Sequence, residues 1–158
     1  MTIIKQVAVI GSGTMGRQIA LQVARHGFPV TLYDIDASAL EKARTMQKQY
    51  AREWVDAGDI SAHDVDAIFA RMNYATDLET AVRDANLAIE AIPERIEMKR
   101  KIFAQLDGLL REHAIIATNS ASMRVSAPNR SPICTFICQY GIARWSKSAA
   151  GAKPIRRC

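Results

Sequence analysis

Six residues near the start of the chain, Gly11-Ser12-Gly13-Thr14-Met15-Gly16, follow the pattern G-x-G-x-x-G. Residues of these types at this spacing suit phosphate. The first glycine permits a tight turn, the second removes a Cβ from the path of an anion, and the third lets a following helix pack closely on the sheet. The amides of Thr14 and Met15 then face the phosphates, and the positive end of the helix adds a favourable field. A second chemical group is Asp34, about twenty residues after the motif, where a carboxylate accepts hydrogen bonds from ribose hydroxyls. It also repels an extra ribose phosphate, by roughly 4 kcal/mol at contact distance in an intermediate dielectric. The dinucleotide implied is therefore NAD rather than NADP. FAD proteins share the fingerprint and are a minor competitor, and a purely structural glycine turn is the plain alternative.

The motif carries weight only in the right setting, which the flanking residues supply. Val7-Ala8-Val9-Ile10 is an unbroken apolar run ending in glycine, as a central parallel strand covered on both faces requires. Ile19, Ala20, Val23 and Ala24 recur at helical spacing up to a stop near His26, with Gly27 as the C-terminal cap. Val30 to Tyr33 reads as a second strand ending at Asp34. Asp36 then caps a long helix with apolar positions Leu40, Ala43, Met46, Tyr50 and Trp54, stopping near Gly58, and Ser61 to Phe69 folds back as a second helix. Met72–Ala75, Leu87–Ile92 and Ala114–Thr118 read as further strands, with a helix through Ile102, Leu106 and Leu109 to about Arg111. Such alternation predicts an α/β fold, a Rossmann-type doubly wound parallel sheet with a long helical pair inserted after the second strand. Glu90 is out of place in this scheme, because a carboxylate inside a buried strand must find a partner or face a cleft.

The 158 residues carry a formal charge of +5, which raises the question of nucleic acid. The charge is confined to one end. All 16 acidic residues lie before residue 124, while residues 124–158 hold seven of the 21 Lys and Arg together with Cys134, Cys138 and Cys158. The body is slightly acidic and the tail has no continuous basic face, so nucleic acid is disfavoured. Cys134 and Cys138 have no nearby histidine to complete a zinc site, and unpaired thiols are expected. No apolar run is long enough for a membrane span, and Met1 to Lys5 leads directly into a strand, so a cytoplasmic location is expected. The organisation predicted is a dinucleotide-binding domain over 1–123 and an atypical basic tail over 124–158, in which Ile133 to Tyr140 can supply a sixth strand.

The stretch Val7 to Gly16, the Leu32-Tyr33-Asp34 strand end and the helical pair after it resemble the 3-hydroxyacyl-CoA dehydrogenases. Ala88-Ile89-Glu90-Ala91-Ile92-Pro93-Glu94, with Met98-Lys99 and Ile102-Phe103, is similar to the strand-four signature of that family. Ala117-Thr118-Asn119-Ser120-Ala121-Ser122 is similar to its strand-five signature. The resemblance implies NAD as cofactor, with Ala91, Ile92, Glu94, Lys99 and Asn119 around the nicotinamide ribose and ring. That placement agrees with the rule that ligands sit at the carboxyl ends of parallel strands. Read without the family, Glu94 and Lys99 are an ordinary first-turn acid and a solvated base. The resemblance further implies an acyl-CoA substrate, oxidation of its 3-hydroxyl by a histidine base held by a glutamate, and a homodimer formed through a helical domain. The 3-hydroxyisobutyrate and 6-phosphogluconate type dehydrogenases are weaker rivals, which the strand-four segment disfavours.

The family's His-Phe-x-Asn-Pro strand has no counterpart in these 158 residues. His26, His63 and His113 all precede the stretch where it belongs, no acid follows Glu112, and Ala121 stands where the first of two paired serines is usual. Loss of a general base costs about 10²- to 10⁴-fold in rate, so negligible turnover is expected of this chain while NAD binding survives. The tail reads as the product of a shifted or truncated frame near Met123 to Ser126. A non-catalytic NAD-binding or interaction module is the alternative function.

Overall fold

The structure, a computed structural model, describes residues 4–119 and the short strand Cys134–Thr135. Strand β1 (Val7–Ile10) is followed by α1 (Thr14–Arg25), β2 (Val30–Tyr33), the long α2 (Ala37–Asp56), α3 (Ala62–Phe69) and β3 (Met72–Ala75). A short α4 (Leu78–Val82), β4 (Leu87–Glu90), α5 (Ile96–Leu109), β5 (Ile115–Thr118) and β6 (Cys134–Thr135) complete the order. Every strand pairing is parallel and the sheet runs β3-β2-β1-β4-β5-β6. The strand order reverses between β1 and β4, which is where an open α/β sheet leaves its ligand crevice.

Alternation along β1 explains the two layers of helices. Val7 and Val9 enter a core with Ala20, Leu21, Val30, Leu32 and Leu40, under α1, α2 and α3. Ala8 and Ile10 enter a separate core with Val82, Phe103 and Leu106, under α4 and α5. A period of two thus divides one strand between two apolar interiors, the condition for a sheet covered on both faces.

The helical pair is fixed to the sheet by polar contacts as well as by packing. Gln47 of α2, fully buried, donates to the carbonyl of Arg17 at 2.7 Å and accepts from the Tyr74 hydroxyl at 2.8 Å. The Arg25 guanidinium lies over the Trp54 ring, 4.6 Å from its centroid, a cation–π contact between α1 and α2. Asp36 caps α2 through the Ser38 amide, and Ser61 and Asp64 form a capping box on α3.

The expected elements are present with small shifts of boundary. The fourth strand ends at Glu90, because the Ile92 amide turns back to bond the Glu90 carboxylate at 2.8 Å and leaves the ladder. Leu78–Val82, where the residue pattern predicts no element, is helical and capped by Asp77. Within the stretch expected as a sixth strand, Cys134–Thr135 pairs parallel with β5. The remaining expectations for the tail, including the thiols and the Ala121 position, lie outside the described residues. Among those described, no helix is long and apolar enough to cross a membrane.

Candidate coenzyme-binding site

The glycine motif forms the turn from β1 into α1, and its three glycines do different work. Gly11 has φ of +105°, the left-handed region, and a Cβ added there would stand 2.8 Å from the Ala91 carbonyl oxygen. A Cβ at Gly16 would fall inside the contact distance of the Gly11 carbonyl oxygen, so the close approach made possible by this residue is between α1 and the turn itself. At Gly13 an added Cβ would meet no atom within 4 Å. Gly11 and Gly16 are therefore required by the chain's own packing, and Gly13 faces open space.

Helix α1 starts at Thr14 with Gly13 as N-cap, no side-chain cap and no acid in its first turn. The α2, α3 and α4 N-termini are all satisfied by side-chain oxygens. An uncapped helix end beside an open glycine is suited to an external anion. NAD fits these residues: its pyrophosphate would take the Thr14 and Met15 amides, over the space that Gly13 keeps clear.

Asp34 lies at the end of β2, half-buried, against this turn. Its Oδ2 accepts from the Ser12 amide at 2.8 Å and the Ser12 hydroxyl at 2.7 Å, and its Oδ1 accepts from the Asp36 amide at 3.1 Å. A carboxylate has about four acceptor positions, so Oδ1 keeps capacity for a sugar hydroxyl, and Ser12 must rotate its hydroxyl proton to release more. Ser12, 4% exposed, thereby acquires a specific task of orienting Asp34. Beside it, burial pushes the Tyr33 phenol above its ordinary pKa, and the negative charges of Asp34 and Asp77 push it further. That hydroxyl stays protonated at neutral pH.

The second half of the site follows β4 and β5. The Ala91 amide donates to the Ile10 carbonyl at 2.8 Å, so the Ala91–Ile92 turn sits directly on the glycine turn. Glu94 is exposed and Asn119, half-buried, donates its amide to the Glu90 carbonyl at 2.8 Å. Lys99 is not a solvated base: it is 1% exposed, and its Nζ lies 2.8 Å from both carboxylate oxygens of Glu90, itself fully buried. Thr118 donates its hydroxyl to Glu90 Oε2 at 2.5 Å. Lys99 and Thr118 thus supply the partner that a carboxylate in a buried strand requires, and Thr118 is a member of the cluster that no sequence motif points to. The available signal was a lysine one turn into the helix after an acid-bearing apolar strand.

A parallel sheet with a glycine turn at the end of its first strand, an uncapped helix and an acid at the end of its second defines a dinucleotide-binding domain. Residues 6–130 match the family described as 3-hydroxyacyl-CoA dehydrogenase, NAD binding domain. The chain belongs to this family, and NAD is its cofactor. It is 39% identical over 124 residues to the 3-hydroxyadipyl-CoA dehydrogenase of Escherichia coli K12, covering 78% of this chain and 26% of that protein. It is 33% identical over 123 residues to the 5-formyl-3-hydroxy-2-methylpyridine 4-carboxylate 5-dehydrogenase of Mesorhizobium japonicum, covering 78% and 39%. The crystal structure of E. coli K12 3-hydroxybutyryl-CoA dehydrogenase superimposes with a TM-score of 0.75 at 37% identity, over 80% of this chain and 26% of that one. The chain spans between 26% and 39% of the length of these two curated relatives.

Proposed function

We infer that the chain is the coenzyme-binding part of an NAD-dependent oxidoreductase that interconverts 3-hydroxyacyl-CoA and 3-ketoacyl-CoA, in fatty acid metabolism and in the cytoplasm. The observation that carries this reading is the family match over residues 6–130, on a chain whose glycine turn leaves an uncapped helix end facing open space at Gly13. NAD, when bound, accepts or delivers the hydride. The chain's own residues bind and orient it: Gly11 to Gly16 the pyrophosphate, Asp34 the adenosine ribose, and Ala91, Ile92, Glu94, Lys99 and Asn119 the nicotinamide half. The domain is assigned to residues 1–123, with 124–158 as an appended basic segment.

Chemistry on the substrate needs a proton acceptor, and no histidine follows His113 nor any acid Glu112 in these 158 residues. That observation favours a second reading for the chain on its own, a module that binds NAD without turning over substrate. Fluorescence titration with NADH and acetoacetyl-CoA reduction on the same sample test both. Saturable NADH binding with negligible turnover is expected. Absence of NADH binding overturns the coenzyme reading, and measurable turnover overturns the non-catalytic one.

A further inference from the structure

We propose that Glu90 is the positioning residue of the nicotinamide half of the site, a buried carboxylate that sets the β4 turn, the first turn of α5 and the end of β5 in register without touching the coenzyme. The proposal deepens the coenzyme reading and rests on it. Glu90 is the last residue of β4 and is fully buried. Its Oε1 accepts from the Ile92 amide and from Lys99 Nζ, both at 2.8 Å. Its Oε2 accepts from Lys99 Nζ at 2.8 Å and from the Thr118 hydroxyl at 2.5 Å. The four acceptor positions of a carboxylate are thereby filled, so Glu90 has none left for a ligand.

Two of its three partners, Ile92 and Lys99, are expected contacts of the nicotinamide half, and the third, Thr118, adjoins another, Asn119. The Ile92 amide belongs to the Ala91–Ile92 turn expected beside the nicotinamide, and the Glu90 side chain fixes the conformation of that turn. Lys99 has three donors, and both carboxylate oxygens of Glu90 draw on them, leaving capacity for a sugar hydroxyl only while the ion pair holds the ammonium in place. Thr118 precedes Asn119, whose amide bonds the Glu90 backbone. The adenosine half has no such dependence. The Gly11 amide is held by the Tyr33 carbonyl at 2.8 Å, and Asp34 by Ser12.

The two halves can therefore be separated by ligand. ADP carries only the adenosine and diphosphate, and NADH carries both halves. In Glu90→Gln the shape is kept, the charge is lost and the Lys99 ammonium is left without its counter-ion. NADH affinity should fall by about tenfold or more, the size expected when buried charge-assisted hydrogen bonds are broken, while ADP affinity stays within about twofold. Thr118→Val, which keeps the ion pair and removes one hydrogen bond, should show the same split at about threefold. It serves the same purpose if the charge variant does not fold. Equal loss of ADP and NADH, or no loss of either, overturns the positioning role. A wild-type chain that binds ADP but gains nothing from the nicotinamide half overturns the proposal as well, and one that binds neither overturns the coenzyme reading itself.

Discussion

At the end of β1 the chain offers backbone and empty space, whereas at the ends of β4 and β5 it offers a carboxylate saturated by its neighbours. The first corner has Gly13 as a helix cap without a side chain and no acid in the opening turn of α1. The second is built around Glu90 and Lys99, a charged pair withdrawn from solvent. The difference follows from what each corner must hold. A doubly charged pyrophosphate brings its own charge and needs amides, a helix dipole and room. A sugar and a ring need a shaped wall, and a buried ionic cluster gives one shape at a desolvation cost of several kcal/mol per ion.

The largest effect should come from breaking the cluster on one side. Lys99→Met leaves Glu90 buried without its counter-ion and should cost about 3–5 kcal/mol of stability, whereas Glu90→Gln/Lys99→Met should recover most of that loss. Denaturant unfolding of the wild type, both single variants and the double variant gives the coupling energy directly. An additive cycle would mean that the pair is no unit and would erase the contrast between the corners.

Glycine substitutions probe the other corner. Gly16→Ala places a Cβ against the Gly11 carbonyl, a backbone atom that cannot swing away, and should cost about 3 kcal/mol and abolish NADH binding together with folding. Gly13→Ala meets no atom within 4 Å. It should cost under about 1 kcal/mol in stability yet weaken NADH and ADP alike by about tenfold or more. If Gly13→Ala left ADP affinity untouched, the space above the turn would not be the phosphate site. Asp34→Asn should weaken NADH less and narrow the preference over NADPH, measured as the ratio of the two dissociation constants. An unchanged ratio removes Asp34 from the ribose site.

The two corners also differ in how far they could be read from sequence. The glycine turn was legible because its interactions are made by contiguous backbone, so each glycine's place in the motif states its task. Strands β1 and β2 were legible from short apolar or β-branched runs closed by glycine and by charge, whereas β3, Met72-Asn73-Tyr74-Ala75, carries a weaker pattern. Two features of the β4 side were not legible. Ala91 and Ile92 continue an apolar run, but the Glu90 carboxylate captures the Ile92 amide and draws the chain out of the ladder. Glu90, Lys99 and Thr118 are separated by a turn and a helix, so no local spacing rule joins them. Helix α4, five residues long, is too short for a periodic signal, although Asp77 and Thr80 carry its cap.

The smallest effect concerns the helix ends that are capped. Asp36, Asp64 and Asp77 are held below the ordinary carboxylate value of 3.8 by hydrogen bonds from Ser38, Ser61 and Thr80 respectively. A folded-state value below the unfolded one means that the unfolded chain binds protons first as pH falls. Their contribution is therefore fully present above about pH 3.8 and is lost as pH drops through the depressed folded values. Helix α1 has no cap carboxylate to protonate, so acid should fray α2, α3 and α4 at their first turns before α1. The triple variant Asp36→Asn, Asp64→Asn, Asp77→Asn should flatten the acid limb of the stability profile and leave NADH affinity at neutral pH unchanged. Hydrogen exchange at low pH resolves the helices one by one, and simultaneous fraying of α1 with the other three would show that its N-terminus is not set apart from theirs.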